Sequence, residues 1–199
     1  MKQKKIEETF WRQGLAVAGV DEAGRGALAG PLVVAAVILP QGRHPYRDSK
    51  KLTPRQREIL LDHILASAVS WSIAAASAAE VDQLGVLAAT HQAAYSALGR
   101  LRKHPDIVIT DYLFLKINNP LLAPARAEEA SPSVAAASIL AKVVRDRYMI
   151  GIDKKYPGYG FAAHKGYGTA AHLDALTRLG PCPIHRRRFS PVAQAKLLD

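Results

Sequence analysis

The sequence predicts an α/β fold built on a mixed sheet. Two observations carry that expectation. Short apolar runs of strand length, at 15–20, 32–39, 70–76 and 107–110, come before and between longer segments with helical spacing. Two of those runs end in carboxylates, Asp21-Glu22 and Asp111. Acids in that position stand at the rim where α/β sheets gather ligands.

The elements follow in order. Residues 1–14 are polar and read as a flexible N-terminal arm. The runs 15–20 and 32–39 are buried strands, the second rich in Val and Ile and closed by Pro40-Gln41-Gly42. Between them lies a glycine-rich turn, Ala23-Gly24-Arg25-Gly26. A basic loop over 43–57 leads into a helix, with Thr53 as N-cap and Pro54 at the first helical position. Ile59, Leu60, His63, Ile64 and Ala68 share one face of it. Residues 70–76 form a third strand. Asp82 is expected to cap a long helix over about 83–102, with Leu84, Leu87, Ala88, Gln92, Tyr95 and Leu98 in phase. A fourth strand covers 107–110; 113–124 is irregular, and 125–129 reads as a short fifth strand. A helix from 133 to about 156 presents Ala136, Ile139, Leu140 and Val143 on one face. A glycine-rich aromatic loop, Lys165-Gly166-Tyr167-Gly168, a helix capped by Thr169, and the run His185-Arg186-Arg187-Arg188 complete the chain. There is no internal repeat.

Composition narrows the function. With 199 residues the chain makes one domain with at most a small appended piece. Apolar residues are 49% and charged residues 22%, as in ordinary globular proteins. Lys plus Arg number 27 against 17 acids, a net charge of +10. That excess points to a polyanion, nucleic acid before an anionic membrane. The single cysteine, Cys182, excludes an intrachain disulfide and a Cys-based zinc cage. The start lacks the apolar core of a signal peptide, and the longest apolar run is too short to span a bilayer. A cytoplasmic monomer is expected, with no membrane partner.

Carboxylates gathered at a sheet rim repel one another unless a cation neutralises them. Hard oxygen donors with no His/Cys set favour Mg²⁺ or Mn²⁺. Inside a basic protein this is a rational two-metal site for phosphodiester chemistry. Alternation imposes one condition: neighbouring strand residues point to opposite faces. Asp21 and Glu22 therefore both serve metals only where the strand breaks up, or with one acting through water. The plainer reading makes each acid a cap or loop residue.

Gly24-Arg25-Gly26, with Gly30 following, also resembles a dinucleotide-binding turn. Two preceding acids, Pro31 and the strand-like run after it argue against that reading. Glycines here allow close backbone approach to a sugar, with Arg25 on a phosphate.

Asp21-Glu22-Ala23-Gly24-Arg25-Gly26 with Ala29-Gly30-Pro31 resembles the signature of the ribonuclease HII family. Further blocks extend the resemblance over nearly the whole chain. They are Asp48-Ser49-Lys50-Lys51-Leu52-Thr53, the 135–143 run with Arg145-Asp146, His164-Lys165-Gly166-Tyr167-Gly168-Thr169 with His172, and His185-Arg186-Arg187 with Phe189. The resemblance implies a ribonuclease H-like catalytic domain over 15–156 and a helical C-terminal substrate-binding extension over 157–199. It implies Mg²⁺- or Mn²⁺-dependent cleavage of RNA in RNA–DNA hybrids and nicking 5′ of ribonucleotides in duplex DNA, leaving 3′-hydroxyl and 5′-phosphate ends. Asp21, Glu22 and Asp111 fall on three of four catalytic, metal-binding carboxylates. Gly24, Arg25 and Gly26 fall on the loop that senses the 2′-hydroxyl, and Tyr167 on the tyrosine that packs on the junction sugar.

The sequence departs from the pattern at two places. Glu128 aligns where the fourth carboxylate is usually Asp, with Glu129 as competitor; Asp146 is a weaker substitute that supports the helix. Arg188 stands where Ser is common. Among the bases, Arg43, Arg47, Lys50, Lys51, Arg55 and Arg57 surround one acid, Asp48. Ser49, Lys50 and Lys142 are candidate phosphate contacts; Arg186 to Arg188 are candidate contacts to DNA phosphates, with bracing of the fold as the alternative for Arg187. His164, His172 and His185 lack metal-ligand spacing and read as structural, and Tyr156 and Tyr159 read as packing. The tail from Gln194 to Leu197 lacks the aromatic pair of a sliding-clamp-binding segment. Two rivals remain: a resolvase of the same superfold, which needs no 2′-hydroxyl sensor, and a non-catalytic nucleic-acid-binding module, which needs no carboxylate rim.

Overall fold

A computed structural model describes residues 6–46 and 49–195. Arg47 and Asp48 of the basic loop, and 196–199 of the tail, lie outside the described residues. Among the described residues, five strands form one sheet in the order β3-β2-β1-β4-β5. They are β1 (Val17–Ala23), β2 (Leu32–Ile38), β3 (Ser70–Ala76), β4 (Ile107–Thr110) and β5 (Leu121–Leu122). The pairs β1–β2 and β2–β3 are antiparallel, whereas β1–β4 and β4–β5 are parallel, so the sheet is mixed as predicted. Its core strands read as continuous apolar runs because both faces are covered. Along β2, Val33, Ala35 and Val37 pack under α6 (Pro132–Asp153), while Leu32, Val34, Ala36 and Ile38 pack under α4 (Val86–Gly99).

Helix α6 lies directly on β1. A Cβ on Gly19 would stand 2.1 Å from the Ser133 carbonyl carbon, so glycine there sets the helix–sheet distance. Thr53 caps α2 (Pro54–Ser67) through a capping box with Gln56, and Thr169 caps α8 (Ala170–Leu179), both as expected.

Four local expectations are corrected. The long helix over 83–102 is two helices, α3 (Ala78–Leu84) and α4, separated by Gly85 at φ 82°. Ser77, not Asp82, caps the first, through a capping box with Glu80. Asp82 instead accepts the backbone N–H groups of Arg187 and Arg188 at 2.7 and 3.0 Å, which ties the C-terminal segment to α3. The fifth strand is at 121–122; the polar stretch after it winds into α5 (Ala127–Ala130).

The fourth correction concerns the arm. Residues 7–11 form α1 (Glu7–Trp11), with Glu7 and Trp11 buried. Glu7 accepts hydrogen bonds from Ser131 Oγ, from Ser133 N at 2.9 Å and from Ser133 Oγ at 3.0 Å. A carboxylate at the first turn of α6 satisfies N–H groups that have no partner within the helix. Polarity alone made this segment look loose. The C-terminal segment contains α7 (Phe161–His164), α8 and α9 (Ser190–Ala195) and packs Tyr159, Phe161, Ala175 and Cys182 against Ala29 and Met149.

Candidate active site

Strand β1 runs three residues beyond its predicted end. Asp21 is paired opposite Ala35 and Glu22 opposite Val34, so the strand stays regular through both acids. Asp21 shares its face with Val17 and Ala23 toward α6; Glu22 points to the other face. Because β1 stops at Ala23, a pocket of about 420 Å³ wraps its end and takes in both side chains. Asp111, the first residue after parallel β4, lines the same pocket. Its Oδ1 accepts the N–H of Ala127 at 3.0 Å, which seats α5 against it. On α5, Glu128 is buried at 8% exposure, and its Oε2 has no partner. Glu129 lies outward and pairs with Lys51 at 3.1 Å.

Electrostatics show what this crowding costs. Burial, reinforced by Glu22 and Asp111, raises the Asp21 pKa to about 7. Burial also raises Glu22, against the pull of Arg25 3.6 Å away, and raises Glu128, with Asp111 beside it adding to the shift. Among the described residues no three His, Cys, Asp or Glu side chains form a ready-made metal cage. The donors are all carboxylate oxygens, one of them orphaned in the interior. That set suits a hard cation that keeps water and phosphate oxygens among its ligands.

The other side of the pocket is built from the loop after β1. Gly24, Arg25 and Gly26 line the pocket together with Tyr167, Lys50 and Lys142. Gly24 adopts φ 90°. Lys142 pairs with Asp146 at 2.8 Å and lies 5.4 Å over the Tyr167 ring. Ser49 is in the pocket but buried, and its Oγ bonds Ser138 Oγ at 2.9 Å. Ser138 in turn hydrogen-bonds Asp21, so Ser49 reaches the acids through it. Arg187 is not brought to the pocket: its backbone is fastened to Asp82 and its side chain is exposed.

Sequence reading left Ser138 and Arg145 without a role in the pocket, and the expectation that Arg186 contacts DNA is corrected: both arginines lie buried beneath the loop. Arg145 is fully buried, donating from Nε to Pro31 O at 2.8 Å and from Nη2 to Ala29 O at 3.1 Å. Arg186, also buried, donates to Gly30 O and, from Nη1, to Arg25 O at 2.9 Å. Arginine ordinarily reads as a surface residue, and only its position in the family blocks singled these two out.

Acids wrapped around the end of the central strand of a 3-2-1-4-5 sheet, facing a glycine loop and a rim of lysines, define a nuclease of the ribonuclease H superfold. Comparison with known proteins fixes the family. The ribonuclease HII family model matches residues 18–192. Ribonuclease HII of Thermus thermophilus is 58% identical over 197 residues, spanning 99% of this chain and 97% of that protein. The crystal structure of ribonuclease H2 from Pyrococcus horikoshii superimposes with a TM-score of 0.79 at 27% identity, covering 92% of this chain and 98% of the other. Ribonuclease HII of Archaeoglobus fulgidus, solved as a complex with PCNA, gives a TM-score of 0.73 at 26% identity over 90% and 96% of the two chains. The chain belongs to the ribonuclease HII family, and so is a metal-dependent endonuclease that cuts RNA in RNA–DNA hybrids and at ribonucleotides embedded in DNA. No helix among the described residues is long and apolar enough to cross a membrane.

Proposed function

We propose that Asp21, Glu22, Asp111 and Glu128 hold Mg²⁺ or Mn²⁺ and that the protein, as a monomer, nicks 5′ of the ribonucleotide, leaving 3′-hydroxyl and 5′-phosphate ends. The supporting observation is that Asp21, Glu22 and Asp111 line one pocket with the glycine loop, while Glu128 stands beside Asp111. When bound, a pair of such ions makes the attacking water acidic and neutralises charge on the leaving oxygen.

The chain's own groups do the rest. Ser138, backed by Ser49, orients Asp21. The backbone at Gly24 and Gly26 approaches the sugar, and its amides read the 2′-hydroxyl, the group that separates RNA from DNA. Arg25 balances Glu22 and meets a phosphate. Tyr167 packs on the sugar next to the cut. Lys50, whose charge favours the ionised forms of Glu22 and Glu128, and Lys142 contact the backbone of the same strand. Exposed Arg187 holds the flanking duplex.

The test is a duplex with one ribonucleotide, incubated with Mg²⁺, with Mn²⁺ and with chelator. A single metal-dependent nick on the 5′ side is expected. Cleavage of an all-DNA duplex, or binding without cleavage, overturns the reading.

A further inference from the structure

Three histidines outside the catalytic pocket are clustered behind Tyr167. His164 and His172 lie face to face with centroids 4.3 Å apart, and His172 Nε2 is 3.1 Å from His185 Nε2. Their partners assign the protons. The carbonyl oxygen of Tyr167, 2.9 Å from His172 Nδ1, can only accept, so a neutral His172 carries its proton on Nδ1 and its Nε2 is bare. His185 then donates to that nitrogen from its own Nε2. His185 Nδ1 is left bare and accepts the Cys182 backbone N–H at 3.0 Å, with the Cys182 carbonyl oxygen farther off at 3.3 Å. His164 has the opposite arrangement: Nε2 donates to Tyr159 O at 2.8 Å and Nδ1 accepts the Gly166 N–H at 3.1 Å. In this arrangement each ring donates from one nitrogen and accepts at the other. Burial favours the neutral forms, lowering His172 and bringing His185 down to about 4.

The backbone on both sides of the Tyr167 side chain is thus clamped by imidazoles. It is also stitched to the sugar-reading loop. Gly166 O accepts Leu28 N at 2.8 Å and Ala29 N at 3.2 Å, and Ala29 forms a β-bridge with His185. A Cβ on Gly166 would stand 2.3 Å from Ala29 O, so the two segments meet backbone to backbone.

We propose that His172 is a positioning residue for ribonucleotide recognition: held by His185 in the Nδ1–H tautomer, it fixes the Tyr167 carbonyl and so the tyrosine ring at the pocket rim. This rests on the reading of Tyr167 as the sugar contact. It assigns the histidine ring system a task in substrate discrimination that none of the three performs by touching substrate.

Nitrogen-15 NMR of the intact protein at neutral pH tests the first half without any substitution. Expected are three neutral rings, with the proton of His172 on Nδ1 and those of His164 and His185 on Nε2. A His172 proton on Nε2, or on both nitrogens, overturns the proposal. A double-mutant cycle tests the second half, reading kcat/KM on the single-ribonucleotide duplex. His172→Leu is expected to lose roughly tenfold or more with Tyr167 present and under about twofold in a Tyr167→Ala background. His172→Asn, which keeps an amide N–H near the Nδ1 position, is expected to recover most of the loss. An equal loss in both backgrounds overturns the proposal and leaves the Tyr167 reading standing. A Tyr167→Ala variant that cuts normally overturns the Tyr167 reading, and the functional half of this proposal with it.

Discussion

The Arg145 guanidinium lies against the backbone of Gly24 so closely that a Cβ on Gly24 would stand 2.0 Å from Nε. The arginine is itself pinned to Pro31 O and Ala29 O and has no room to swing away. The glycine loop after β1 is therefore shaped from below by a buried cation.

This separates two glycines that look equivalent in the motif. Gly24→Ala combines the clash with φ 90° and should cost about 2–4 kcal/mol in urea unfolding. Nothing lies within 4 Å of a Cβ on Gly26, whose φ is not positive. Gly26→Ala should fold with unchanged stability and still lose roughly tenfold or more in cleavage, because its methyl group intrudes where substrate approaches. Equal destabilisation of the two variants would contradict the assignment.

Glu128 and Glu129 are separated by burial. Glu128→Ala should reduce metal-dependent cleavage by at least about a hundredfold, the scale expected when a metal-holding carboxylate is lost. Glu129→Ala removes only an exposed ion pair with Lys51 and should stay within about twofold. The reverse ranking in a cleavage assay would reassign the fourth carboxylate.

Asp21 should trade stability for activity. Its pKa of about 7 lies above the ordinary 3.8, so the folded chain binds more protons than the unfolded one between those values. Stability from this group is full below about 4 and is lost as pH rises through 7. In chelator at pH 8, Asp21→Asn should therefore be more stable than the parent by on the order of 2 kcal/mol, while inactive. Thermal melts should show that advantage shrinking toward pH 5; an advantage that grows on acidification would refute the sign.

Glu7 anchors the start of α6 and should behave as a core residue. Glu7→Ala leaves the Ser131 and Ser133 donors without their acceptor in the interior, and should cost about 2–4 kcal/mol. Denaturant midpoints indistinguishable from the parent would show that the segment behaves as the arm its polarity suggests.

Lys50→Ala should weaken duplex binding whatever the sequence and lower the slope of log K against log salt by about 1. An unchanged slope would remove Lys50 from the phosphate contacts.

Where the sequence was legible, the reason is physical. Strands β2, β3 and β4 are apolar runs bounded by turn residues and appear within a residue of their expected limits. The acids were found because they interrupt such runs. What the sequence hid depends on tertiary partners. Strand β1 continues through Asp21 and Glu22 only because β2 keeps pairing with it, a fact not encoded in residues 21–23 themselves. Gly85 splits a helix whose apolar phase runs straight through the break. Arg145 and Arg186 are core residues only because four loop carbonyls face inward to receive them.

Helix α6 spans about 33 Å at 1.5 Å per residue and touches both halves of the site. At its start it is in backbone contact with β1 at Gly19; farther along, Ser138 holds Asp21 and Arg145 holds the loop. A slide of this rod would carry Asp21 and the loop after β1 in the same direction. The spacing between Asp21 and the glycine loop is thus set from a single datum, as two jaws of a gauge are cut on one bar.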